Sequence, residues 1–204
     1  MNLSKCLVFF LLVALFFLLH RCNINHLETK SEKFYQKKEN YKKIQDIIHN
    51  VLPHMVQFEY IPDILLVLVF AYMAIVNYNL IYQFAGLAFT LIIVRSFIIQ
   101  MTVLPKNDVC DIEKDSSLFR GGCYDKIFSG HFGIGFLMTL LLYDNGYINT
   151  LFAILVNFLN AVFILLIRSH YTVDIIVSIF VVIIIYQNNL NICEYLDKHL
   201  DKHL

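Results

Sequence analysis

Six apolar runs, each closed by a polar break, set the pattern of the chain. The first covers residues 7–19, unbroken after Lys5. It is shorter than the roughly 20 residues a bilayer-spanning helix needs. It reads either as a signal-peptide core or as a short first span whose ends snorkel through Lys5 and Arg21. His20, Arg21 and Cys22 follow where a cleavage site would need small residues, which favours a retained span. The other runs cover residues 61–76, 80–101, 132–143, 148–167 and 175–186. Together they predict an all-α membrane protein, a bundle of six transmembrane helices.

The polar stretches divide that bundle. Residues 1–20 are expected to form a first span or signal anchor, 21–60 a polar loop, 61–187 the main transmembrane domain and 188–204 a polar tail. Within the loop, Tyr41, Ile44, Ile48 and Val51/Leu52 recur at helical spacing, with Lys37, Lys38, Lys42 and Lys43 elsewhere. Two readings stand: an amphipathic helix lying on the membrane surface, or a solvated loop helix with no lipid role. The tail ends in a doubled Asp-Lys-His-Leu over 197–204, which reads as a solvated low-complexity segment rather than a metal site. Alternating spans place the loops after the first, third and fifth on one side. The 105–128 loop and the 168–170 turn are therefore expected as neighbours, with His131 and His170 at one depth.

Composition sharpens this picture. The chain is 58% hydrophobic with a mean hydropathy of +0.63, too apolar for an ordinary soluble domain. Sixteen basic and sixteen acidic residues leave no net charge, and hence no basic face for nucleic acid. With no Trp, an interfacial aromatic belt must be built from tyrosine. Five cysteines without a C-x-x-C pair argue against zinc. Cys110 and Cys123 share one loop and suit a disulfide if that loop is extracytoplasmic; two free thiols are the alternative.

Two polar stretches carry candidate chemistry. Arg168-Ser-His170-Tyr171-Thr172-Val-Asp174 places a carboxylate four residues after a histidine. On a helix these share a face, about 6 Å apart in rise. Asp174 can then fix the tautomer of His170 and leave its other nitrogen free to attack phosphorus. Ser129-Gly130-His131 opens another helix, with Ser129 as the N-cap and Gly130 permitting close approach of a ligand. The exposed N–H groups there favour phosphate. Ionisable groups at membrane depth are costly, so paired histidines at matching boundaries point to function rather than to simple seating among headgroups. Arg95, deep in the third span, needs an anion: a lipid phosphate, or Asp174 or Asp125. Asp125, Tyr171 and Arg168 complete the candidate phosphate-binding set.

These residues resemble the sphingomyelin synthase family, a branch of the lipid phosphate phosphatase (PAP2) superfamily. Arg95 followed by Thr102-x-Leu104-Pro105 is similar to its R…T-x-L-P motif. Cys123-Tyr-Asp125-Lys-Ile-Phe128-Ser129-Gly130-His131 is similar to C-G-D…F-S-G-H, with Tyr124 in place of the glycine and Phe132 in place of the threonine that follows. His170-Tyr171-Thr172-Val-Asp174-Ile resembles H-Y-T-[IV]-D-[VI]. The resemblance covers about residues 60 to 187 and implies a PAP2-like six-helix bundle. It implies transfer of a phosphocholine-, phosphoethanolamine- or phosphoinositol-type headgroup from a glycerophospholipid donor to ceramide. His170 would be the nucleophile, Asp174 its orienting carboxylate and His131 the general acid and base, with no metal required. It also implies a multi-pass protein of the Golgi, endoplasmic reticulum or plasma membrane with a lumenal or exoplasmic site. Phosphatases of the superfamily carry K-x6-R-P and an arginine six residues before the nucleophilic histidine. This chain has no Arg-Pro, and Ile164 stands at the second position. A non-catalytic lipid-binding protein is the alternative of another class. Seven Lys/Arg in loop 21–60 and four in 105–128 oppose the exoplasmic placement by the positive-inside rule.

Overall fold

The computed structural model describes residues 3–35, 44–102, 104–105 and 123–200. Among these residues are seven α-helices: α1 Leu3–Tyr35, α2 Ile47–Val51, α3 Ile61–Val76, α4 Asn79–Met101, α5 Gly130–Asp144, α6 Thr150–Leu166 and α7 Thr172–Leu200. A 3-10 turn at Val56–Phe58 leads into α3. No strand occurs among the described residues.

The all-helical expectation holds among the described residues, and the count of six spans is not confirmed. Among the described residues three helical segments are long and apolar enough to cross a membrane: Val56–Val76, Asn79–Met101 and Thr172–Asn189. Helix α6 is apolar but shorter, at 17 residues. Helix α5 has 15 residues, a length of about 22 Å at the usual rise. It packs against α3, α4, α6 and α7 and forms the centre of the bundle. Apolar association is weak inside a bilayer, so close helix approach depends on small residues. Gly133 and Gly135 supply them. A Cβ on Gly133 would stand 3.0 Å from the Phe128 ring, and one on Gly135 would stand 2.9 Å from Asn160 Nδ2 and 3.0 Å from Leu66 Cδ2.

The outer faces suit lipid. Val173, Ile176, Phe180 and Ile184 form an exposed stripe down α7, and Leu151, Ile154, Leu155 and Phe158 one on α6. Toward the interior, Leu87, Leu91, Leu137, Leu141 and Val182 join α4, α5 and α7, while Met73, Leu80, Met138 and Leu142 join α3, α4 and α5.

Two elements depart from the expected segmentation. Helix α1 does not stop after the first apolar run but continues through the polar stretch to Tyr35. Ile24, Leu27 and Ser31 supply the reason: they recur at helical spacing and are buried. Beside them, Gln100 Nε2 of α4 donates to both Asn23 O (3.1 Å) and Asn23 Oδ1 (2.6 Å). Helix α7 likewise runs past residue 186 into the expected tail. The amphipathic segment of the loop is the five-residue α2, capped by Asp46. Its Ile48, with Leu52, packs against Phe132, Ile164, Leu165 and Ile175 of the bundle, and Ile47 and Val51 face outward. Tyr41 and the four lysines at 37, 38, 42 and 43 lie outside the described residues, as does Cys110. Cys123 is disulfide-bonded.

Candidate active site

Three helices, α3, α5 and α7, begin at the same end of the bundle. Their first turns, with the Cys123–Ser129 loop, assemble the candidate site.

At the head of α7, the Asp174 carboxylate folds back on its own first turn. Its Oδ2 accepts from the Tyr171 backbone N–H at 2.8 Å and lies 3.1 Å from His170 Nδ1. The first contact is the backward half of a capping box. The second assigns the tautomer: an ionised carboxylate only accepts, so Nδ1 carries the proton and Nε2 presents its lone pair. Nε2 has no hydrogen-bond partner among the described residues. Both side chains are buried. Burial pushes the His170 pKa below the ordinary imidazole value; the hydrogen bond to Asp174 opposes this and Lys126 reinforces it. The ring is thus held neutral near pH 7, the state a nucleophile requires.

Ser129 joins α5 to this turn. Its side chain caps α5 by accepting from the Phe132 N–H at 3.3 Å. Its backbone N–H donates to Ser178 Oγ at 3.0 Å. The Ser178 hydroxyl lies 2.7 Å from Asp174 O and 3.1 Å from Ser129 O, so α5 and α7 are bolted together directly beneath the His170–Asp174 pair. Sequence reading did not single out Ser178, whose only signal is its position one turn after Asp174.

His131, at the start of α5, finds a different carboxylate. Its Nε2 lies 2.7 Å from Asp63 Oδ1 at the start of α3. By the same argument Nε2 donates to Asp63 and Nδ1 is the nitrogen left for chemistry. This pair is more open than the first, with side chains 26% and 45% exposed. Asp63 was missed from the sequence; an acidic residue at the start of a span on the same side of the membrane was the available signal.

Arg95 turns to the loop. Its Nη2 donates to Asp125 Oδ2 and its Nε to Phe128 O at 3.4 Å. Of the anions named for it, Asp125 is therefore a partner the structure provides. Burial pushes the Asp125 carboxyl up, but Arg95, then Lys126 and His170, outweigh it and hold the group below the usual carboxylate range. Gly130 abuts the Arg95 guanidinium: a Cβ there would meet Nε at 3.5 Å, an ordinary contact. Helix α1 braces the loop from outside, with Glu28 accepting from the Cys123 N–H at 3.1 Å and Tyr35 stacked on Tyr124.

A strap preceding α3 closes over the His170 turn. Asp46 Oδ1 accepts from the N–H groups of Ile48 and His49 and from the Thr172 hydroxyl, while its Oδ2 accepts from the Thr172 N–H. One carboxylate thus caps both α2 and α7. His49 Nε2 donates to the His170 carbonyl at 3.1 Å, and Arg168 Nη2 donates to His49 O at 3.1 Å. Arg168 has φ of +53°, a left-handed conformation uncommon for a non-glycine residue, which turns the chain sharply between α6 and α7. The His49 ring also packs on Tyr171. Met55 N–H caps the end of α6 by donating to Leu166 O at 3.0 Å. Below the turn, Phe132, Phe136, Phe158, Ile175 and Ile179 line an apolar groove of about 420 Å³ between α5, α6 and α7.

The fold and site define an α-helical membrane protein with two histidine–carboxylate pairs at the mouth of an apolar bundle. No group of three or more metal-ligating side chains occurs among the described residues. Residues 122–190 match the family model described as PAP2 superfamily C-terminal, a stretch that holds His131, His170, Asp174 and the loop between Cys123 and Ser129. Comparison with curated proteins and with solved structures found no match. The family match supports placement in the lipid phosphate phosphatase superfamily and, with the apolar spans, a membrane enzyme of phosphatase or phosphotransferase type acting on lipid phosphate groups.

Proposed function

We propose that the chain is a phospholipid:ceramide headgroup transferase of the sphingomyelin synthase type. The observation that carries this reading is the buried His170–Asp174 pair, with Nδ1 committed to the carboxylate and Nε2 open. In the first step Nε2 attacks the phosphorus of a glycerophospholipid. The bond from phosphorus to the diacylglycerol oxygen breaks, and protonated His131 gives that oxygen its proton. In the second step His131 takes the proton from the primary hydroxyl of ceramide. That oxygen attacks the phospho-histidine and the phosphorus–nitrogen bond breaks. Asp63 orients His131 as Asp174 orients His170. The groove between α5, α6 and α7 offers an apolar seat for an acyl chain. The absence of Arg-Pro and of an arginine at position 164 favours transfer over hydrolysis, and the disulfide at Cys123 favours a site on the lumenal or exoplasmic side.

Expression in a host lacking such activity, with labelled ceramide supplied and products resolved by mass, tests the reading. A new phospho-headgroup ceramide from wild type and none from His170→Ala is the expected result. Release of free phosphate or free phospho-headgroup without a ceramide product would make the chain a hydrolase instead. Protease protection of a tag at residue 115 tests the side of the membrane.

A further inference from the structure

We propose that Lys126 is the phosphate-binding cation of this site, contacting the non-bridging oxygens of the phosphodiester presented to His170. The inference rests on the transferase reading for its substrate but stands on observations of its own. The Lys126 side chain is only 10% exposed, and its Nζ lies 4.0 Å from Asp125 Oδ1, beyond hydrogen-bond reach. Among the described residues it makes no hydrogen bond, so three donors on a nearly buried ammonium are unspent. Its carboxylate neighbour Asp125 is already bonded to Arg95, so the buried ammonium, with no hydrogen bond of its own, is suited to a further anion.

The neighbouring cations are otherwise engaged. Arg95 is bonded to Asp125 and to Phe128 O, and Arg168 to His49 O. Asp174, Asp63 and Asp125 bring three carboxylates to the same end of the bundle, and Arg95 is bonded to Asp125 alone of them. A phosphodiester anion entering this field needs a positive group near the nucleophile, and Lys126 lies in the loop that Ser129 and Ser178 tie to Asp174, the partner of His170. The loop that carries Lys126 is anchored on both sides, by Arg95 through Asp125 and by Ser178 through Ser129. Such a group also stabilises the extra negative charge that builds on those oxygens during transfer.

The test uses the full chain in detergent with two probes: inorganic phosphate, and dihexanoylphosphatidylcholine below its micellar concentration. Affinity is read from the ligand-induced rise in the thermal midpoint, in wild type for phosphate and in a His170→Asn background for the lipid. Lys126→Met is expected to weaken both by about tenfold or more, the scale of a charged hydrogen bond, while Lys126→Arg stays within about threefold of the parent. Unchanged affinity in Lys126→Met, or a loss for inorganic phosphate alone, overturns the proposal. Should Lys126→Met lower the ligand-free midpoint, Lys126→Gln carries the same comparison. If wild type makes no ceramide product and Lys126→Met still loses both ligands, the transferase reading falls and the Lys126 site stands.

Discussion

The two histidine–carboxylate pairs are built in opposite ways. His170 and Asp174 are four residues apart, on one turn and buried. His131 and Asp63 are 68 residues apart, on different helices and partly open to solvent. A local pair is set by one short stretch: His170 stands two residues ahead of α7 and Asp174 on its first turn. A long-range pair exists only once α3 and α5 are packed, and its openness suits a group that must exchange protons with successive substrates. The contrast fits the proposed mechanism, in which the buried neutral ring attacks and the open ring transfers protons.

Substitutions break this comparison in descending order. His170→Ala removes the nucleophile and should lower headgroup transfer by about a thousandfold or more. Asp174→Asn and His131→Ala should each lose about a hundredfold, the scale of general acid–base removal. Asp63→Asn should cost about tenfold, the lower end for an orienting carboxylate. All four are checked by initial rates on phosphatidylcholine vesicles containing ceramide. Equal losses from Asp63→Asn and Asp174→Asn would erase the distinction between the pairs.

The strap gives a smaller effect, on stability. Asp46→Ala removes caps from two helices and should lower unfolding stability by about 1–2 kcal/mol, read as a fall in thermal midpoint.

Acid should act on the same contacts. Hydrogen bonds to Thr172 and His49 outweigh burial and hold Asp46 below its ordinary value, while burial depresses His49. In both cases the unfolded chain takes up the proton first. The stability contributed by His49 is full above about pH 6.5 and lost below it, and that of Asp46 is full above about pH 3.9 and lost as pH falls further. Turnover through neutral His170 should hold as pH is lowered through about 6.5 and decline only below it. Midpoints across pH 2 to 8 and rates across pH 4 to 8, in wild type and Asp46→Asn, check both. Gly135→Ala should cost as much as the strap, about 1–3 kcal/mol through overpacking, and the smallest effect is that of Gly130→Ala, which with ordinary contact to Arg95 should stay within about 0.5 kcal/mol.

What the sequence revealed follows the same division. His170–Asp174, the Ser129 cap and the spacing of Ile48 and Leu52 are local, and all were legible. Asp125 was one of two carboxylates open to Arg95, and only packing chose between them. Asp63, Asp46, His49 and Ser178 act across 49 or more residues of chain, and nothing in their surroundings marks them. Asp46 and His49 precede the segment matched by the family model, yet they hold the turn that bears His170. The continuation of α1 was hidden because its buried residues, Ile24, Leu27 and Ser31, sit among charged neighbours that face outward.

The most direct measurement is capture of the covalent intermediate. Purified protein mixed rapidly with a short-chain phosphatidylcholine, quenched and digested under conditions that preserve phospho-histidine, should carry a phosphocholine adduct on the peptide containing His170. The adduct should disappear when ceramide is added and be absent from His170→Ala. An adduct on another residue, or phosphocholine transferred to ceramide with His170→Ala as active as wild type, would contradict the account.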